Sequence, residues 1–119
     1  MAQDAIDPAT ISNYHAHVYY DAASRDNAAR LREALERGFA VEMGRWRDAP
    51  VGPHPQPMYQ VKFGADQFGR IVPWLMLNRG GLTILIHPNT GDAYQDHAAH
   101  PLWLGEKLSL RLDVLRQAT

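Results

Sequence analysis

The order in which strand-like and helix-like patterns follow one another limits the fold of this chain more than any other feature. Strand-like segments, with alternating apolar residues or runs of branched and aromatic ones, occupy residues 14–20, 39–46, 59–63 and 82–87. Helical spacing of apolar residues occupies residues 25–37, between the first two strands, and residues 66–79, between the last two. The resulting order, βαββαβ, predicts a ferredoxin-like α+β sandwich with both helices on one face of an antiparallel sheet.

The first predicted helix has the signals expected at its start and along its buried face. Ser24 stands where a side chain could cap the first turn. Ala28, Leu31 and Leu35 follow at the spacing that gives a single apolar stripe. This stripe predicts the side of the helix that packs on the sheet.

Two segments allow more than one interpretation. Pro73 falls inside the second helical pattern, where its missing N–H removes a hydrogen bond, so we expect either a kink or a helix that starts near Arg70. Residues 108–114 alternate apolar and polar side chains. That alternation predicts an additional C-terminal strand, although so short a stretch could also be helical.

Composition places the chain among ordinary soluble proteins of one domain. We expect that domain over residues 13–119, after a flexible tail at residues 1–12. A formal net charge of -1 gives no field that would attract nucleic acid or an anionic membrane. The chain has no cysteine, which excludes disulfides, thiolate metal ligands and a cysteine nucleophile. Because no apolar targeting segment is visible, the expected location is cytoplasmic.

The six histidines are the main candidates for chemistry, and the first two lie on the first strand. His15 and His17 are two residues apart, so their side chains share one face of the sheet. Ala16 and Val18 point to the opposite face, which suits packing against the helices. We therefore expect His15, His17 and Tyr19 on the face that the helices leave open.

Two further histidines should approach the same open face. In the predicted fold the first strand lies between the third and the fourth, and His87 ends the fourth. His54 belongs to a proline-rich loop that leads into the third strand. The alternation of the second strand places Glu42 on this face as well.

A face that gathers imidazoles and carboxylates predicts a divalent metal site. Imidazole is the commonest side-chain metal ligand, and without thiolates a histidine and carboxylate set favours Zn, Fe(II) or Mn. Glu42, Asp92 and Asp96 are the candidate carboxylates, and the sequence does not choose among them. Taken singly, a histidine on a strand is more often a hydrogen-bonded polar residue than a ligand. His100, which precedes a proline in a loop, is interpreted as a surface residue.

Several short motifs, in a fixed order, give the chain a specific resemblance. The first strand reads YHAHVYYD at residues 14–21, and GPHP follows at residues 52–55. Later motifs are WL at 74–75, LNR at 77–79, HPNTGD at 87–92, DH at 96–97 and LWLG at 102–105. In these motifs the chain resembles the DOPA 4,5-dioxygenase-like family, the fungal-type DOPA dioxygenases and their bacterial relatives, over residues 13–115.

The resemblance implies a reaction and a set of site residues. It implies extradiol cleavage of DOPA or a related small catechol by O₂, with Fe(II) as the expected metal and Zn or another divalent ion as the alternative. The family's motif histidines match His17, His54, His87 and His97. The first three are expected to bind the metal, and His97 is expected to act as the catalytic acid and base. Additional candidates for the site are His15, Glu42 and Tyr19.

A competing function needs no catalysis. The protein could be a ferredoxin-like binding module that dimerises through its open sheet face, with histidines that serve only the structure. A homodimer is also expected of the enzyme, because an open face with Tyr19, Leu85 and the histidines would expose a large patch.

Overall fold

The computed structural model describes residues 4–116, which form a five-stranded antiparallel sheet with helices packed on it. The strands are β1 (Asn13–Tyr19), β2 (Glu42–Met43), β3 (Met58–Phe63), β4 (Ile84–Asn89) and β5 (Leu102–Leu104). The helices are α1 (Arg25–Gly38), α2 (Ala65–Asn78) and α3 (Ala93–Ala98), and 3₁₀ turns lie at Pro8–Thr10 and Leu112–Leu115. The strand order β2-β3-β1-β4-β5 places the first strand at the centre and confirms the predicted α+β fold.

The main core lies between the sheet and the helices α1 and α2. Ala16 and Val18 of β1 are buried there, as the alternation of the strand predicts. The remaining contacts come from the stripe of α1 and from α2, through Ala28, Leu31, Leu35, Ile71, Val72 and Leu75. Burial of a side chain such as Leu or Ile stabilises a fold by about 1.5–3 kcal/mol, so this layer holds the sheet in place.

The ends of the two long helices differ from the sequence-based expectations. Ser24 precedes α1, but its side chain makes no capping hydrogen bond. Its Oγ donates instead to Oδ1 of Asp21 at 3.0 Å, which closes the turn before the helix. The helix α2 begins at Ala65 and contains Pro73, so the alternative start near Arg70 is wrong.

The second strand is shorter than predicted because a bulge interrupts it. Of residues 39–46, only Glu42 and Met43 belong to β2. The backbone of Gly44 then donates to Gln60, and Arg47 pairs with residue 58 of β3. This edge therefore has one residue more than β3 between the two contacts, as in a β-bulge. The proline-rich loop begins after Arg47, the last residue of this edge that pairs with β3.

A fifth strand exists, but not where the alternation of residues 108–114 predicts it. It is Leu102–Leu104, which pairs with β4, whereas residues 108–114 form no strand and end in the 3₁₀ turn. Leu108 and Leu110 pack instead against a second cluster on the sheet, which contains Leu85. Their alternation thus marks an extended segment that lies across the sheet and turns one side toward it.

This segment covers the histidine face, by which we mean the face of the sheet that carries His15, His17 and His87. The histidine face was predicted to be open, yet His17 is 3% exposed and His87 is 1% exposed. The chain also buries Tyr19 and Leu85 by itself, so the reason for expecting a homodimer does not hold. The homodimer stays a prediction.

The segment before β1 is partly held by the rest of the protein. Residues 8–10 form a 3₁₀ turn, and the backbone N–H of Ser12 donates to the carbonyl oxygen of Asn89 at 2.8 Å. The first part of the predicted flexible tail, residues 1–3, lies outside the described residues. Among residues 4–116, every helix is too short or too polar to cross a membrane.

Candidate metal centre

The register of the central strand places the strand histidines side by side. His15 lies opposite His87 across the β1–β4 pair and opposite Lys62 across the β1–β3 pair. His17 follows on the same face, opposite Leu85 on one side and Gln60 on the other. Because β1 is central, each of its histidines has a neighbouring strand on both sides.

His17 lies at the middle of a group of imidazole rings from three parts of the chain. Its ring centroid is 4.1 Å from that of His54 in the proline-rich loop and 5.1 Å from that of His87 on β4. The ring of His97, on α3, lies 6.2 Å from His17 and 4.0 Å from His87. The ring of His15 lies 5.7 Å from His17. All the histidines predicted for the site therefore meet on the histidine face.

The closest contact in the group joins two ring nitrogens, one from β1 and one from β4. Nε2 of His17 lies 3.1 Å from Nε2 of His87. Nδ1 of His87 donates to the carbonyl oxygen of Pro88 at 2.9 Å, so the Nε2 atom of a neutral His87 ring carries the lone pair. Nδ1 of His17 is buried without a partner among the described residues. A buried nitrogen without a partner usually lowers the stability of a fold by about 1–3 kcal/mol. Such an atom is therefore rare in a hydrogen-bond network whose role is only structural.

The orientations of His54 and His97 are fixed through Nδ1 in the same way. Nδ1 of His54 lies 2.7 Å from the hydroxyl oxygen of Tyr19, and Nδ1 of His97 lies 2.7 Å from the carbonyl oxygen of Ala93. When Nδ1 donates such a hydrogen bond, Nε2 of the neutral ring has the lone pair that can bind a metal or accept a proton, and the bond also orients the ring.

Burial keeps most of these rings in the uncharged form that binds metals. Desolvation lowers the pKa of His15 and of His54 to about 4, and it lowers the pKa of His87 to about 3. The pKa of His17 is lowered well below its usual value, first by desolvation and then by the neighbouring histidines. Neutral imidazole is the form that coordinates a cation, so protons compete little with a metal at neutral pH.

Two overlapping sets of three histidines could hold an ion. In each set the ligand nitrogens lie within 4.8 Å of one another. One set contains His15, His17 and His87, and the other contains His17, His54 and His97. His17 belongs to both sets, whereas the predicted ligands His54 and His87 belong to different ones. The roles assigned to the individual histidines stay predictions.

The candidate carboxylates are engaged elsewhere. Glu42 lies on the edge strand, 3.5 Å from Nζ of Lys62, which stands between it and His15. Asp92 accepts a hydrogen bond from the backbone of Gln95 and caps α3. Asp96 is buried and accepts hydrogen bonds from both the backbone and the hydroxyl of Thr90. The two sets of residues within 4–116 that could hold a metal ion, called the metal-competent sets below, thus consist of imidazoles.

Sequence reasoning missed the helix α3 and the role of Trp103. The helix α3 has only six residues, and the signal that could have revealed it is its capping residue, Asp92. The ring of Trp103 on β5 stacks on Tyr19 at 6.1 Å, and its Nε1 is buried without a partner among residues 4–116. The LWLG motif contains this tryptophan, but sequence alone did not show that it faces the histidines.

Two cavities flank the histidine group. One has a volume of about 270 Å³ and is lined by His54 together with Met58, Gln60 and residues of the β2 edge. The other has a volume of about 340 Å³ and is lined by His97, Trp103 and three leucines of the segment that lies on the sheet, Leu108, Leu110 and Leu112. A small aromatic molecule could therefore reach the imidazoles from either side.

Known proteins match the chain over most of its length. The Dopa 4,5-dioxygenase family matches residues 14–114. A DOPA 4,5-dioxygenase of Amanita muscaria is 33% identical over 111 residues, which are 86% of this chain and 49% of that protein. An uncharacterized 21.2 kDa protein of Botryotinia fuckeliana is 35% identical over 116 residues, which are 87% of this chain and 63% of that protein. The chain thus spans less than two thirds of the length of these two relatives.

A solved structure agrees with both the fold and the family. The crystal structure of a candidate dioxygenase from Nostoc punctiforme has a TM-score of 0.93 and 58% sequence identity to this chain. The similarity covers 93% of this chain and 96% of that one. Because the family match includes every strand of the sheet and all the histidines brought together on its histidine face, the chain belongs to the Dopa 4,5-dioxygenase family.

Proposed function

We propose that this protein is a metal-dependent dioxygenase that opens the ring of a small catechol by extradiol cleavage, with Fe(II) as its metal. The observation that carries the proposal is the 3.1 Å approach of Nε2 of His17 to Nε2 of His87 inside a larger group of imidazole rings. The name of the relative from Amanita muscaria, DOPA 4,5-dioxygenase, supports DOPA or a related catechol as the substrate.

The residues present fit a divalent ion. Two nitrogens that bind one zinc ion at about 2.1 Å each can lie at most about 4.2 Å apart, and His17 and His87 satisfy this limit. An all-imidazole set suits zinc, copper, iron or nickel, so the choice of iron rests on the family and the reaction.

Following the family resemblance, we assign His17, His54 and His87 to the metal and His97 to proton transfer, a set that combines members of the two sets of histidines that could hold an ion. A bound Fe(II) ion would supply open coordination positions for both catechol oxygens and for dioxygen. His97 is less buried than the other three and borders the cavity of about 340 Å³, so its Nε2 can exchange protons with a substrate hydroxyl. The hydrogen bond from Nδ1 of His97 to the carbonyl oxygen of Ala93 orients the ring so that Nε2 points into the site.

The covering segment has a part in this scheme as well. Trp103, Leu108 and Leu110 pack on the histidine face beside Leu85 and limit the access of water to the imidazoles. Exclusion of water strengthens every electrostatic interaction in the site and protects reactive species from side reactions. Both oxygen atoms of O₂ enter the ring-opened product, a semialdehyde, so the reaction requires no external reductant.

The alternative function is a non-catalytic module that dimerises through the histidine face. Its support is weaker because Tyr19, His17 and Leu85 on that face are already buried within the same chain.

The test is turnover by protein of defined metal content. Protein purified without oxygen would be loaded with Fe(II) and mixed with O₂ and a panel of catechols that includes DOPA. We expect oxygen consumption and a yellow semialdehyde, with no product from metal-free protein. The proposal fails if Fe(II) binds stoichiometrically and no catechol of the panel is cleaved.

A further inference from the structure

The cavity beside His54 has a chemical character that the proposed reaction does not explain. Its lining includes Arg45 and Arg47 from the β2 edge, together with Gln60 and Met58 of β3. None of the described residues that line it has a carboxylate side chain. We propose that Arg45 and Arg47 bind a carboxylate on the substrate, so that the protein selects catechols with an anionic side chain. This inference rests on the proposed function and adds the substrate class.

Both arginines are free to receive an anion. Arg45 and Arg47 are exposed, and neither side chain makes an ion pair or hydrogen bond with another residue in the range 4–116. The nearest carboxylate in sequence, Asp48, is already held by Nε of Arg25 at 3.0 Å and by the hydroxyl of Tyr20 at 2.7 Å. The cavity therefore presents positive charge that no described group of the protein neutralises.

The bulge after β2 decides which face of the sheet the two arginines take. Arg45 and Arg47 are two residues apart and share a face, which in an unbroken strand would be the face opposite Glu42. The extra residue between Gly44 and Arg47 shifts the alternation, so both arginines line the cavity beside His54. Trp46 points the other way and packs on Tyr59 in the core, with 5.0 Å between ring centroids.

The position of the cavity fits a substrate that reaches the imidazoles with its ring. His54 lines the cavity, and its ring centroid is 4.1 Å from that of His17. A catechol whose oxygens lie at the histidine group would thus extend a short side chain toward the arginines. Arginine suits this role because its planar guanidinium donates two parallel hydrogen bonds to one carboxylate.

Equilibrium binding tests the inference without turnover. The probes are 3-phenylpropanoate and its neutral amide, 3-phenylpropanamide, titrated into metal-free protein and observed by ligand-detected NMR. We expect the carboxylate to bind about 10-fold or more tightly than the amide, as for a charge-assisted hydrogen bond. The double variant Arg45→Gln/Arg47→Gln should remove this difference. The control variant Arg37→Gln, on the exposed side of α1, should keep it.

Turnover gives the second arm of the test. For the Fe(II) protein, the ratio of kcat/KM for 3-(3,4-dihydroxyphenyl)propanoate to kcat/KM for 4-methylcatechol should fall about 10-fold or more in the double variant. Its activity on 4-methylcatechol should stay within about twofold of the wild type. If the wild type cleaves neither catechol, the proposed function fails, and the binding experiment alone decides the anion site.

Three results would overturn the inference. The first is equal binding of the acid and the amide by the wild type. The second is an unchanged preference for the acid in the folded double variant, as judged by circular dichroism. The third is inorganic sulfate binding as tightly as 3-phenylpropanoate, since a general anion site would not select a substrate.

Discussion

Nε2 of His17 lies 3.1 Å from Nε2 of His87, although the two residues are 70 positions apart in the chain. Without a metal, one of these nitrogens must carry the proton that the other accepts. A divalent ion would replace that proton and use both lone pairs. The pair therefore makes metal binding and protonation mutually exclusive at this point of the structure.

Replacement of either member of the pair should abolish metal binding. In His17→Gln and His87→Gln we expect less than about a tenth of the wild-type metal content, because each ring is close to the centre of the group. Elemental analysis of protein purified in parallel measures this. His100→Gln, which changes an exposed histidine outside both metal-competent sets, is the control and should retain full metal. Full metal in His17→Gln would refute the central role of this residue.

The roles of His54 and His97 can be separated by comparing metal content with rate. We expect His97→Gln to retain metal and to lose about 10²–10⁴-fold in kcat, the usual contribution of a general acid or base. We expect His54→Gln to lose metal. The opposite pattern, with metal lost in His97→Gln and only rate lost in His54→Gln, would exchange the two assignments and favour the set of His17, His87 and His97.

Tyr19 should act on the metal through His54. In Tyr19→Phe the hydrogen bond between the Tyr19 hydroxyl and Nδ1 of His54 is lost, while the aromatic ring that stacks on Trp103 remains. We expect a decrease of about 10–100-fold in metal affinity, typical for loss of a group that orients a ligand. Competitive metal titration measures the change. Tyr20→Phe, which removes a hydrogen bond to Asp48 on the other side of the sheet, should leave the affinity unchanged.

Acid should destabilise the metal-free protein over a defined range of pH. The unfolded chain titrates its histidines near pH 6.5, whereas burial lowers the pKa of His54 to about 4 and that of His87 to about 3. Between these values the unfolded state binds more protons than the folded state, so the free energy of unfolding falls as the pH decreases.

We expect a loss on the order of 1–3 kcal/mol between pH 7 and pH 4.5, because each unit of pKa corresponds to about 1.4 kcal/mol and solvent screening reduces the effect. Urea unfolding at several pH values measures it. Equal stability at pH 7 and pH 4.5 would contradict the lowered pKa values. In His87→Gln the pH dependence should be weaker than in the wild type.

The grouping of the strand histidines was predictable because a strand has a fixed period of two. That period places His15 and His17 on one face, and the βαββαβ order places β4 beside β1. Ring contacts then follow from the antiparallel register, which sets His15 opposite His87. None of these steps depends on the detailed packing of side chains in the core.

The position of residues 108–114 on the histidine face was not predictable in the same way. Alternation at residues 108–114 is compatible with a paired strand and with an extended segment that lies on a sheet. The choice depends on whether Leu108 and Leu110 gain more by packing on Leu85 than the backbone gains by pairing. The bulge that turns Arg45 and Arg47 toward the histidine face was not predictable either, since it depends on contacts with β3.

The packing of Leu108 and Leu110 on the histidine face also removes the reason for expecting a homodimer. A homodimer was predicted because Tyr19 and Leu85 would otherwise face water. In the structure both side chains are buried by residues of the same chain, so no second copy is needed to cover them. Sedimentation equilibrium at high micromolar concentration decides the question. A monomer there would agree with the buried histidine face and would contradict the predicted homodimer.

The central place of β1 in the sheet has a consequence for biosynthesis. The strand has no partner until residues 58–63 have been made, and the rings of His17 and His87 cannot meet before β4 docks. Contacts between such distant parts of a chain form late and slow the folding reaction. If the histidine group binds a metal as proposed, a nascent or partly folded chain would therefore offer no complete site, and loading would follow closure of the sheet.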